Sequence, residues 1–258
     1  MRQFILPPSY TGEGELTLTG KESRYLTRVL RLKAGQQIVA RSSTGATLVM
    51  TITSVSKDQC TLVTVSAPIT EAVQSEMLPA YNGPFAPLCL MQCLLKGRKE
   101  DELVRQATEI GATSITLVQS RHSIPDAKEK GQARIARLET KVREALQQSG
   151  SPIPTRLEPE IIDLSDLPAW WAGRGPALFF HQSDRGQQHT LTSLAQDFSI
   201  DEPIGILIGP EGGFSEDECT FLTDHGFIPV LLKTNILRSE TAAIYALSAL
   251  QTLLNERN

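Results

Sequence analysis

The chain has 258 residues, of which 40% are hydrophobic and 21% charged, and a formal net charge of −4. That length is enough for a real core and one or two domains. No apolar run reaches membrane-spanning length and no secretory leader is visible, so a cytoplasmic protein is expected. Cys60, Cys89, Cys93 and Cys219 form no CxxC pair, and His122, His181, His189 and His225 show no ligand spacing. Reduced core cysteines are therefore expected, and no metal site.

The charge is spread unevenly, and the distribution says more about a nucleic-acid partner than the sum does. Residues 1–80 carry eight Lys/Arg against six Asp/Glu, residues 81–145 eleven against eight, and residues 146–258 six against fifteen. The basic residues are densest from Lys21 to Arg41, where six of them meet the single Glu22.

The first seventy or so residues read as mostly β. Gln37–Arg41, Ala46–Val55 and Cys60–Ser66 are rich in Val, Ile and Thr and are separated by Ser/Gly and Lys/Asp turns, which fits a small antiparallel barrel. A helix is predicted over Glu22–Leu30. There Arg24, Arg28 and Arg31 recur at i, i+4, i+7, opposite Tyr25, Leu26, Val29 and Leu30. Pro68, Pro79, Pro84 and Pro87 with Asn82-Gly83 mark a linker, and the domain boundary is placed between residues 72 and 73.

From Leu88 the pattern alternates. Strands are predicted at Leu88–Leu95, Ile115–Val118, Ala177–His181, Pro203–Ile208 and Ile228–Leu232. Helices are predicted at Glu100–Ile110, Gly131–Gln148, Leu191–Ala195, Ser215–His225 and Ser239–Asn255. Gly111 supplies a C′ stop, and Ser215 with Glu218 a capping box. Such alternation predicts an α/β fold with a mostly parallel sheet covered on both faces. Cys89 and Cys93 share one face of their strand.

Two segments carry the chemistry. Gly209-Pro210-Glu211-Gly212-Gly213 follows an apolar strand. It is neither a GxGxxG fingerprint nor a phosphate loop, since no Lys follows the glycines and Glu211 would repel a phosphate. Its free backbone groups and its carboxylate suit a cationic or hydroxyl-rich ligand, although a tight strand-to-helix turn would need the same glycines. Ile236-Leu237-Arg238-Ser239-Glu240-Thr241-Ala242 opens the last helix. Glu240 there suits the helix dipole and Arg238 does not. Either Arg238 makes a surface pair with Glu240, worth little, or it faces an anionic group.

Together, in this order, these segments resemble the RsmE family: small-subunit (16S) ribosomal RNA uridine-N3 methyltransferases of the SPOUT class. Tyr25–Lys33, Glu102–Gly111, Ser120-Arg121-His122-Ser123 and Glu144-Ala145 through Gln148-Ser149 resemble further motifs of that family, so the likeness covers nearly the whole chain. It implies a PUA-like β-barrel that helps to hold RNA and a SPOUT domain with a deep trefoil knot. It also implies S-adenosylmethionine as cofactor and a homodimer. One wall of the cofactor pocket would be Ile208, Gly209, Pro210, Glu211, Gly212 and Gly213. A second would be Leu232 with Asn235, Ile236, Leu237, Glu240, Thr241 and Ala242, and a third Phe180, His181 and Gln182. The chain departs from the family at Lys233, Asn235, Gln106 and Ser151, where Gly, Arg, Lys and Arg are usual. These changes bear on RNA affinity and target identity more than on the cofactor.

On this reading Arg238 stabilises the uracil oxygens as N3 becomes anionic. RNA contacts fall to Arg24, Arg28, Arg31 and Lys33, to Lys96 and Arg98, and to Gln148 and Ser149, which position the base. Two alternatives stay open: another SPOUT reaction such as ribose 2′-O-methylation, and a non-catalytic RNA-binding or ribosome-assembly factor.

Overall fold

A computed structural model of the protein describes residues 4–7, 9–42, 46–65, 83–124, 131–182 and 188–256. The chain divides into two compact units, Met1–Ala80 with Gln147–Gly150, and Tyr81–Leu146 with Ser151–Asn258. The expected boundary at 72/73, with Pro68, Pro79 and Asn82, lies outside the described residues.

In the first unit, β1 (Phe4–Ile5), β2 (Glu15–Thr19), β3 (Gln37–Arg41), β4 (Thr47–Val55) and β5 (Gln59–Thr64) form one sheet in the order β1-β3-β4-β5-β2. Only the β1–β3 pair is parallel. Alternation sets its inner face: Leu48, Met50 and Ile52 of β4 point inward with Ile38, Ala40, Leu62 and Leu18, and Phe4 and Leu26 close the core. A register shift between Ile52 and Ser54 bends the sheet.

The helix predicted over Glu22–Leu30 differs. A short α1 (Gly20–Arg24) runs into a π-helical turn over Tyr25–Val29, closed by the Leu30 amide donating to the Tyr25 carbonyl at 2.9 Å. The wider turn keeps Arg24 and Arg28 on one exposed side. Arg31 lies beyond the helix with φ 55, a left-handed conformation rare for a long side chain, so the i+7 relation does not apply to it.

The second unit is built from β6 (Leu88–Cys93), α2 (Lys99–Ile110), β7 (Ser114–Gln119), α3 (Gly131–Ser149, whose residues from Gln147 on count with the first unit), β8 (Arg156–Asp163), α4 (Leu167–Trp171), β9 (Ala177–Phe180), α5 (Leu191–Ala195), β10 (Ile204–Ile208), α6 (Glu216–Asp224), β11 (Ile228–Val230) and α7 (Ser239–Asn255). All its strand pairs are parallel, in the order β11-β9-β10-β6-β7-β8. β6 and β10 are buried along their whole length, as apolar runs in the middle of a parallel sheet must be. Gly111 ends α2 at φ 96, and Ser215 with Glu218 forms the capping box of α6.

Register divides the sheet into two faces. Cys89, Met91 and Cys93 share one with Ala177, Phe179 and Leu207, packed against Trp171, Phe214, Leu222 and Phe227. Burial there pushes the thiols of Cys89 and Cys93 up, to about 11 and about 12, and both are free. Leu88, Leu90 and Gln92 look the other way, toward α7, which also packs on β10 and α2. No described helix is long and apolar enough to cross a membrane. The described residues hold no group of three or more His, Cys, Asp or Glu placed to bind a metal.

Phe179 is buried and meets Phe214 edge-on, centroids 6.0 Å apart. Phe179→Ala is expected to cost about 3–5 kcal/mol, transfer and cavity costs together. Urea unfolding should show a lower midpoint with an unchanged slope.

Candidate active site

The three segments singled out in the sequence follow strands that are neighbours. β11, β9 and β10 lie side by side and parallel, so the chain after each emerges at the same carboxyl edge. That edge is where open α/β sheets bind ligands. The 208–213 segment leaves β10, the 180–182 segment leaves β9, and the 232–242 segment leaves β11.

Direct bonds join the first and last of these. The Ser239 hydroxyl donates to the Gly209 carbonyl in a short hydrogen bond, and both groups are buried. Gln92 of β6 donates its Nε2 to Ser239 Oγ at 2.9 Å and to the Cys93 carbonyl at 2.9 Å. At the rim, Lys99 Nζ lies 2.9 Å from Glu211 and 3.7 Å from Glu240. The Lys96 amide donates to Glu211 at 3.3 Å. Burial works to raise the Glu211 carboxyl. The Lys99 hydrogen bond and charge and the backbone N–H groups outweigh it and hold the group below the ordinary carboxylate range.

The glycine turn is set by contact. A Cβ on Gly209 would stand 3.2 Å from the Phe214 ring, and one on Gly212 would stand 3.0 Å from His122 Cβ. Gly213 has φ 67, which favours glycine. The chain after β7 braces the turn: His122 Nδ1 is 3.1 Å from the Gly213 carbonyl oxygen, and the Arg121 amide donates to Glu218 at 2.8 Å.

Arg238 is the N-cap residue of α7, exposed, and paired with no carboxylate among the described residues. The surface pair with Glu240 is not formed; Glu240 faces Lys99 instead. A cavity of about 990 Å³ opens beside α7. Leu232, Glu240 and Thr241 line it, joined by Lys233 and, further along α7, Ile244 and Tyr245. Ile208–Gly213 and Phe180–Gln182 do not line it. Phe180 is half-buried, Gln182 exposed, and burial lowers the His181 imidazole. Asn235 and Ile236 are exposed, Ile236 by 87%. Lys96, Arg98, Gln148 and Ser149 are exposed, as are Arg24, Arg28, Arg31 and Lys33. Arg24 makes a loose pair with Asp58 at 3.7 Å. Sequence reasoning missed Gln92, Lys99 and His122 as partners of these loops. Gln92 lies near the end of β6, Lys99 opens α2 and His122 follows β7, all far away in the chain.

A family model described as an RNA methyltransferase domain matches residues 82–251, and one described as an RNA methyltransferase PUA domain matches residues 18–65. The chain belongs to the RNA methyltransferase family. Among curated relatives, the Ribosomal RNA small subunit methyltransferase E 2 of Borreliella burgdorferi is 34% identical over 64% of this chain and 65% of its own. The alignment thus spans just under two thirds of that relative. The Bacillus subtilis Ribosomal RNA small subunit methyltransferase E is 26% identical over 91% of this chain and 88% of its own. Among solved structures, the Neisseria gonorrhoeae Ribosomal RNA small subunit methyltransferase E bound to S-adenosyl methionine superposes with a TM-score of 0.77. It is 25% identical and covers 98% of each chain. The likeness to the RsmE family and the α/β fold with a PUA-type N-terminal domain are borne out.

In this member of the family, the Glu211 carboxyl lies lower in the folded chain than in the unfolded one. Its stabilising contribution is therefore present above the unfolded pKa and lost as pH falls through the folded one. Glu211→Gln should lower the urea midpoint slightly at neutral pH. The gap to the unmodified protein should close as pH falls through that range in a series of urea melts.

Proposed function

We propose that this protein transfers a methyl group from S-adenosylmethionine to N3 of a uridine in small-subunit (16S) ribosomal RNA, in the cytoplasm and as a homodimer. The observation that carries the reading is the joining of the Gly209–Gly213 and Asn235–Ala242 segments at one sheet edge, through Ser239 and Lys99. The names of the relatives and the cofactor of the Neisseria protein agree with it.

The residues present suit the cofactor. Glu211 and Glu240 place two carboxylates at the rim against the ammonium of Lys99 and the guanidinium of Arg238, so the rim offers both signs of charge to a zwitterionic, sulfonium-bearing ligand. We assign the holding of the cofactor to Ile208–Gly213, Leu232, Asn235–Leu237, Glu240–Ala242 and Phe180–Gln182. When bound, S-adenosylmethionine supplies an electrophilic methyl on a positively charged sulfur. This chain's part is orientation and charge. Nucleophilic uridine N3 is the deprotonated form, with its charge shared by the two uracil oxygens. Arg238, unpaired and at the positive end of α7, offers its guanidinium to those oxygens.

The N-terminal unit contributes Arg24, Arg28, Arg31 and Lys33 to the RNA backbone, and Lys96, Arg98, Gln148 and Ser149 are further contacts. The groove along α7, with Leu231, Ile244, Leu253 and the 47%-exposed Tyr245, suits a second copy of the chain.

The test is methyl transfer to small ribosomal subunits from cells lacking the enzyme, with mass spectrometry of the digested RNA. 3-Methyluridine is expected. A ribose methyl would replace the base assignment, and failure to bind labelled S-adenosylmethionine would replace catalysis with RNA binding alone. Arg238→Ala should lower kcat about 10²- to 10³-fold and leave cofactor affinity, read by calorimetry, nearly unchanged. Arg24→Ala, Arg28→Ala and Arg31→Ala together should weaken RNA binding and flatten its log–log salt dependence by about two, at roughly 0.7 per phosphate contact for single strands.

A further inference from the structure

Gln92 is a polar residue where polarity is costly. It sits in β6, between β10 and β7, and is 0% exposed. Its neighbours in the strand are Leu, Met and Cys. A buried amide there is unfavourable unless bonded, and its Oε1 has no hydrogen-bond partner among the described residues. The Nε2 group, by contrast, makes two good bonds, to the Cys93 carbonyl and to Ser239 Oγ, both at 2.9 Å.

The direction of these bonds is determined. A serine hydroxyl has one proton to donate. Ser239 gives it to the Gly209 carbonyl, an acceptor only, so its oxygen must accept from Gln92. The result is a one-way relay: Gln92 N–H to Ser239 O–H to Gly209 C=O. It begins on a central strand, paired on both sides. It ends on the first residue after β10, having passed through the first residue of α7. Those two positions are the roots of the two loops assigned to the cofactor, and Arg238 directly precedes Ser239.

We propose that Gln92 is a positioning residue: through Ser239 it sets the separation of the two loop roots and so the place of Arg238 at the cleft. It touches neither substrate nor cofactor. The proposal rests on the methyltransferase reading, so one arm of its test is independent of activity.

That arm follows the exchange of the Gln92 side-chain amide protons by NMR. They should exchange slowly in the unmodified protein and at least about tenfold faster in Ser239→Ala, where the acceptor is gone. The second arm uses kinetics on small ribosomal subunits. Gln92→Leu, close in shape and apolar, should lower kcat about 10- to 100-fold, the scale of an ångström-sized misplacement. KM for S-adenosylmethionine should change much less. Ser239→Ala should behave alike, Ser239→Thr should recover most of that loss, and the Gln92→Leu/Ser239→Ala double variant should be no worse than either single one. Should Gln92→Leu not fold, the two Ser239 variants carry the comparison. Unchanged kcat in Gln92→Leu or Ser239→Ala, additive losses in the double variant, or unaltered exchange in Ser239→Ala would each overturn the proposal. If the unmodified protein transfers no methyl group while the exchange result holds, the activity reading fails and the relay stands.

Discussion

The hydrogen bond from the Ser239 hydroxyl to the Gly209 carbonyl is the constraint on which the site depends. Without it the Gly/Pro/Glu turn and the start of α7 would be joined only at the exposed rim, through Lys99. The link is possible because of strand order. β9 and β10 are adjacent and parallel, β11 lies next to β9, and the sheet has one carboxyl edge there. A reversal of any of these strands would send its loop to the opposite edge. The fold's contribution to function is thus mainly directional: parallel pairing aims three otherwise unrelated loops at one place.

The glycines and Phe214 show how packing supports that aim. Phe214 ends the turn, and its ring lies against Gly209 at the beginning of the turn and against Phe179 beneath it. The turn is folded over its own aromatic anchor. From outside, His122 takes up the Gly213 carbonyl, and Arg121 and Ser215 both use the Glu218 carboxylate. A related brace holds the chain after β6. The Glu100 carboxylate, fully buried, accepts from the Leu95 amide at 2.9 Å and meets Arg134 of α3 at 3.1 Å. Burial is the largest influence on this carboxyl and raises it, against the pull of Leu95, Arg134 and Arg137. Such a group is tolerated because its bonds hold three segments together.

The sequence made the loops readable for a simple reason: Gly, Pro, Glu and Arg interrupt apolar runs abruptly, and that contrast survives without any knowledge of tertiary structure. The long helices α2, α3 and α7 were readable from their period, and α6 from its capping box. Elements whose identity depends on neighbours were missed. β8 contains Pro159 and alternating charges, which an edge strand tolerates but which read as loop. β1 has two residues and α4 five, too few for any period. The π turn after α1 preserves the spacing of Arg24 and Arg28, so periodicity could not distinguish it from an α-helix. Gln92 was visible as a polar residue in an apolar strand, but its partner lies 147 positions away. Local pattern carries no trace of such a pair.

The charges at the cleft divide by role. Lys99 is taken up by Glu211 and Glu240, and its own proton is held more firmly for it, the Glu211 hydrogen bond being the main cause. Arg238 is left unpaired among the described residues. It stands at the N-terminus of a helix, where a cation is disfavoured and a carboxylate such as Glu240 is welcome. A purely structural solution would exchange these preferences or pair the arginine. Leaving it unpaired means that its charge and the positive end of α7 add rather than cancel. Such an arrangement is poor for stability, and it suits the proposed reaction, in which the base must become an anion before it can react.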